Sequence, residues 1–170
     1  MIADVIDFGE TSGMTGRMSA PDLTGLQLPD VFPPVGTYLS ARLHDGVLYT
    51  AGHIPLGADG TLITGRLGDA LTIEEGAHAA RLAALSLLAT VQQELGSLER
   101  VDRFLFVYGV VNAAPHFTAH TTVIDGASDV FVQVFGERGA HARLAVGVSS
   151  LPADVAVEVQ ATIAVGSAAD

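Results

Sequence analysis

The pattern of hydrophobic and polar positions changes period several times along the chain, and each change marks an element. "TYLSARLHDGVLYTAGHIP", residues 37–55, alternates about Asp45-Gly46. That dipeptide suits the left-handed backbone of a two-residue hairpin turn, so two antiparallel strands open the domain. "GADGTLITGRLGD", 57–69, is glycine-rich but lacks the GKS or GKT ending of a phosphate loop, and reads as turns. From Thr72 the period becomes helical. Thr72 and Glu75 have capping-box spacing, Leu82 to Val91 is uncharged and rich in helix formers, and Gly96 can supply a left-handed stop. "VDRFLFVYGVV", 101–111, is β-branched and aromatic with both parities apolar, as in a central strand. Pro115 predicts a second helix running to about Phe135, ended near Gly136. Two strands follow, Ala142 to about Ser149 and Val155 to about Val165, with a turn at "LPAD".

The order strand, strand, helix, strand, helix, strand, strand implies an α+β fold: one mixed β-sheet with two helices on one face. Two helices leave the other face bare. Phe104, Phe106 and Tyr108 alternate with Leu105 and Val107, and Ala145 and Gly147 with Val146 and Val148, so both faces are apolar. A bare apolar face of that size predicts association through it. Residues 1–35, without a sustained period and closing on Pro33-Pro34, read as an N-terminal arm; 36–166 form the domain and 167–170 a C-terminal tail.

One cation interrupts the penultimate strand. In "HARLAVGVSSLPADVAVEVQ", 141–160, Arg143 and Glu158 are charges among small and apolar residues. If the last two strands form a hairpin with Ser149 opposite Asp154, Arg143 faces Gln160, Ala145 faces Glu158, and the two charges become diagonal neighbours on one face. Two readings follow: a satisfied internal ion pair, or an anion site in which arginine holds a carboxylate through its planar fork while the glutamate orients or deprotonates water.

Composition narrows the chemistry. The 170 residues are 49% hydrophobic and carry a net charge of −11, with a mean hydropathy of +0.42. That is enough apolar surface for one domain. All eight cationic side chains are arginine, too few against nineteen acids to favour nucleic acid as a partner. With neither cysteine nor lysine there is no thiolate nucleophile, Cys-ligated metal or Schiff-base lysine. The N-terminal stretch lacks the basic and apolar regions of a signal peptide, and no stretch of about 18 apolar residues exists, so a soluble cytoplasmic protein without membrane contact is expected. His116 and His120 are spaced i, i+4, but without an HExxH motif they read as surface histidines and no metal is expected.

"GTYLSA" at 36–41, "TAGHIP" at 50–55, "HAR" at 141–143 and "LPADVAVEV" at 151–159, in this order and spacing, resemble the RidA (YjgF) family of enamine and imine deaminases from Gly36 to Val165. The resemblance implies a chorismate-mutase-like fold and a homotrimer whose sheets surround a central β-barrel, with sites in the clefts between subunits. It places the carboxylate-binding arginine at Arg143, the water-orienting glutamate at Glu158, the turn glycine whose carbonyl helps hold water at Gly52, and the cleft-closing tyrosine at Tyr38. Without the resemblance Tyr38 is a packed hairpin aromatic.

The chain departs from the family pattern at Ala51, His53 and Ala145, where serine, glutamine and cysteine are usual, and "VIDGASDVFVQVFGERGAHAR" resembles a branch in which asparagine is more usual at Asp125. An ionised carboxylate there would repel an anionic substrate. His53 is a candidate lining group. His141, two residues before Arg143, is either a pocket residue or a strand-end polar group. The implied activity is cofactor-independent hydrolysis of small enamine or imine carboxylates to 2-keto acids and ammonia. The alternatives are a binding or regulatory module for such a carboxylate-bearing metabolite, and a specialised biosynthetic enzyme with a larger substrate. The charge of −11 weighs against a ribonuclease.

Overall fold

The computed structural model describes residues 20–57 and 59–166; the first nineteen residues of the expected arm and the 167–170 tail lie outside them. Strands β1 (Ala41–His44) and β2 (Val47–Thr50) form the opening hairpin. Its turn residues Asp45 and Gly46 both have positive φ, 48° and 75°. Helix α1 (Ile73–Leu95) starts in the Thr72/Glu75 capping box and stops at left-handed Gly96. Then come β3 (Val101–Asn112), α2 (His120–Phe135), β4 (Ala142–Val148) and β5 (Val157–Val165). The sheet order is β1-β2-β5-β3-β4, with only β3 and β4 parallel.

Both helices pack on one face. Phe104, Val107, Val111, Val159, Ala161 and Ile163 are buried beneath them, and Phe104 stacks on Phe131 of α2 with centroids 4.4 Å apart. Gly109 faces the same way, where a Cβ would run into Ile124. On the other face cross-strand register lines up Tyr49, Thr162 and Phe106, then Gln160, Tyr108 and Leu144, then Glu158, Val110 and Val146. Tyr49, Phe106 and Leu144 are 48%, 39% and 48% exposed, so this face is bare in the single chain. Before β1, Leu23, Leu26 and Leu28 pack against the core, and the Asp22 amide bonds the Val134 carbonyl.

Three expectations are corrected. Helix α2 begins at His120, not Pro115. The proline stands instead in a turn closed by Phe117 N–H to the Ala114 carbonyl, and His116 is tied to the Gly68 carbonyl at 3.0 Å. Phe104 and Phe106 do not share a face, because a register irregularity falls between them. Finally, β4 and β5 are not a hairpin: β3 lies between them. The connection steps over the end of β3, where buried Asn112 donates its side-chain amide to Asp154 at 2.9 Å. Ala153 and Asp154 take positive φ in this turn.

Candidate functional site

The corrected topology separates Arg143 from Glu158. Arg143 pairs with Val107 and therefore faces the helices. Glu158 pairs with Val110 on the bare face. No diagonal contact between them is possible within one chain, and the ion pair considered from the sequence does not form. The two residues instead line two separate clefts.

The first, of about 490 Å³, is lined by Thr121, Ser128, Val132, Ala140, His141, Arg143 and Ala145. Arg143, its side chain 17% exposed, pairs with Asp125 of α2 at 2.8 Å; the aspartate is 51% exposed. The same arginine nitrogen, Nη1, donates to Ser128 Oγ at 2.9 Å, and Nη2 makes a longer contact of 3.4 Å to the Thr121 carbonyl. His141 is fixed behind this pair. Its Nδ1 lies 2.6 Å from the Gly139 carbonyl, which can only accept, so Nδ1 carries the proton. Nε2 then accepts from the Ser128 hydroxyl at 2.9 Å. Burial, aided by the Arg143 charge, lowers the His141 pKa despite the Gly139 bond and favours this neutral form. Ser128 thus receives from Arg143 and gives to His141, and the guanidinium is held in one orientation.

The second cleft, of about 380 Å³, is lined by Thr50, Ala51, Gly52, Tyr108, Val110, Glu158 and Gln160. Burial raises the Glu158 pKa above the ordinary carboxylate value. Gly52 lies so close that a Cβ there would overlap the Glu158 side chain and force its carboxyl to move. The turn is anchored from both sides. The Ala51 carbonyl accepts from Thr50 Oγ1 and His53 Nδ1, each at 2.9 Å, and His53 exchanges both backbone hydrogen bonds with Val159.

The expected site residues therefore fall into two groups. Asp125, His141, Arg143 and Ala145 gather at the first cleft, and Ala51, Gly52 and Glu158 at the second. His53, expected to line the site, lines neither cleft: its Nε2 lies 2.9 Å from Thr90 Oγ1 of α1, away from the Glu158 face. Desolvation pushes its pKa down to about 4. Tyr38 lies before β1, 53% exposed, its hydroxyl accepting from the Val35 amide at 3.3 Å; it too lines neither cleft. Thr121 and Ser128 were not singled out from the sequence. Their spacing with Asp125, which puts polar residues 121, 125 and 128 on one stripe of the helix, was the available signal. Among the described residues no group of three or more His, Asp or Glu side chains could hold a metal ion.

Comparison with known proteins agrees with this architecture. A model of the family described as "YjgF/chorismate mutase-like, putative endoribonuclease" matches residues 17–161. Protein TCP17 of Trypanosoma cruzi is 41% identical over 151 residues, covering 88% of this chain and 94% of its own. A crystal structure of a protein of unknown function from Agrobacterium tumefaciens superposes with a TM-score of 0.77 at 33% identity, covering 84% of this chain and 87% of that one. A structure from Shewanella oneidensis, described as a putative endoribonuclease, gives 0.80 at 32%, with 83% and 93% covered. With the mixed five-stranded sheet, its two helices and a family match spanning most of the chain, the protein belongs to the YjgF/chorismate-mutase-like family, the RidA family that its sequence motifs resemble.

Proposed function

We propose that the protein is a RidA-like deaminase that assembles as a homotrimer and hydrolyses small enamine or imine carboxylates to 2-keto acids and ammonia. The observation that carries this reading is the preparation of Arg143 and Glu158 on opposite faces of one sheet. One is oriented by Ser128 and Asp125; the other is partly desolvated against Gly52. Neither cleft alone has both groups, so a complete site needs a second copy, and the bare face beside Glu158 is the surface through which it docks.

In that site Arg143 binds the substrate carboxylate. Glu158 and the Gly52 carbonyl hold a water against the imine carbon, and Glu158 takes its proton. Its raised pKa makes it a stronger base than an exposed glutamate. Water adds to the carbon, Glu158 returns the proton it took to the nitrogen, and loss of the adduct's hydroxyl proton to that nitrogen lets ammonia leave as the ketone forms. The carbon is already electrophilic, so orientation and charge stabilisation suffice and no cofactor is involved. RNA cleavage, named in the family's description, fits less well with a net charge of −11. The Asp125–Arg143 pair favours a second reading, in which the chemistry is retained but the substrate is not a simple monoanion.

The test is ammonia release from imino acids generated in situ by an amino-acid oxidase. Arg143→Ala should abolish it. Glu158→Gln should slow it about a hundredfold or more while ligand still binds. The same variant carries a stability signature. Because folding raises the Glu158 pKa, stability is lost as pH rises from the ordinary carboxylate value through the raised one. Glu158→Gln should therefore melt higher than wild type at neutral pH, the gap closing in acid. Wild type without turnover, or Glu158→Gln that is fully active, would refute the deaminase.

A further inference from the structure

We propose that Asp125 makes the Arg143 cleft selective for carboxylates that carry an N–H donor on the adjacent carbon, and that it turns away the free 2-keto acid. The inference rests on the carboxylate-binding role given to Arg143 above.

Both protons of Arg143 Nη1 are committed, one to Asp125 at 2.8 Å and one to Ser128 at 2.9 Å. Among the described residues this leaves the Nε–Nη2 edge of the cleft-lining arginine, where Nη2 makes a 3.4 Å contact to the Thr121 carbonyl. That edge still offers two parallel N–H groups, the fork that fits a carboxylate. Arg143 and Asp125 sum to zero charge, however, so a bare anion gains little net attraction and meets the aspartate beside the fork. The second oxygen of Asp125 belongs to a half-exposed side chain and can only accept. The cleft therefore presents donors next to an acceptor. An iminium carboxylate is complementary to both, its carboxylate on the arginine and its N–H toward the aspartate. Hydrolysis exchanges that N–H for a carbonyl oxygen, whose lone pairs would then face the carboxylate of Asp125. The residue that favours substrate thus also disfavours product, and the charge that would weaken a simple keto-acid site becomes a selector.

Matched planar probes isolate the effect. Pyrrole-2-carboxylate and furan-2-carboxylate are both monoanions of nearly one shape, and differ in whether N–H or oxygen lies beside the carboxylate. Calorimetric titration of the intact protein should show the pyrrole binding about tenfold or more tightly, as expected for one hydrogen bond to a charged acceptor. In Asp125→Asn, whose amide can either donate or accept, the preference should collapse through a gain in affinity for the furan. Equal affinities in wild type overturn the proposal, a comparison that stands even if the variant fails to fold. An equal loss for both probes in Asp125→Asn also overturns it, because Asp125 would then only hold Arg143 in place. If neither probe binds wild type at millimolar concentration, the carboxylate site itself is wrong and the deaminase reading falls with it.

Discussion

His53 is a half-buried imidazole one residue from the glycine that touches Glu158, and its work is done at a distance from the cleft. Its Nδ1–H holds the Ala51 carbonyl while Nε2 accepts from Thr90, so the ring ties the Ala51–Gly52 turn to α1. A protonated ring could not accept from Thr90, and burial drives the pKa from 6.5 to about 4. Folding lowers this pKa, so the stability it contributes is complete above pH 6.5 and is lost as pH falls toward 4. The loss is of order 3 kcal/mol for a shift of that size. His53→Gln keeps one donor and one acceptor in the same places but does not titrate. Its melting temperature should fall less than that of wild type across this window, with the two curves converging near neutrality. Parallel curves would mean that the imidazole is solvated. The sequence placed His53 in the right turn. It could not give the direction of the side chain, which depends on the Val159 pairing that turns His53 toward the helices.

At the scale of elements, the helix pair is set by close approach at glycine. A Cβ on Gly126 of α2 would collide with the Ala77 carbonyl of α1, a backbone atom that cannot rotate away. Gly126→Ala should separate the helices and destabilise the domain by about 1–3 kcal/mol, the usual range for overpacking, measurable by urea denaturation; an unchanged midpoint would show that the helices slide freely. Because Asp125 is the preceding residue, the same variant should weaken carboxylate binding. Local signals were legible in the sequence: Asp45-Gly46 gave the hairpin and Thr72, Glu75 and Gly96 bounded α1, since each fixes its own backbone. The signal at Pro115 was real but was used in a turn, because His116 and Phe117 are held to Gly68 by a hydrogen bond and ring packing. The pairing of β4 and β5 was not legible. A short link normally joins neighbours, whereas this one crosses the end of β3, where Asn112 bonds Asp154 in a long-range contact that local pattern does not reveal. Arg143 and Glu158 stood out as charges among small and apolar residues and the family motifs gave them roles, while their geometry was lost with that register.

At the scale of the whole molecule, the separation of Arg143 from Glu158 makes the proposed assembly testable without a structure of it. Light scattering should report a trimer, and a stable monomer at micromolar concentration would remove the shared cleft. Complementation is the sharper measurement. Arg143→Ala retains Glu158, Glu158→Gln retains Arg143, and each should be inactive when assembled alone. If every site takes Arg143 from one subunit and Glu158 from another, coexpressing the two variants in equal amounts rebuilds some intact sites. A given site then needs the first position filled by one variant and the second by the other, a chance of about one half for each under random closed assembly, so about a quarter of the sites recover. Sites contained within single chains would recover nothing, because every chain is defective. Recovery to roughly that fraction, appearing only when subunits can exchange, is the expected result. Mixed trimers that form but stay silent would show that Arg143 and Glu158 never meet in a common site.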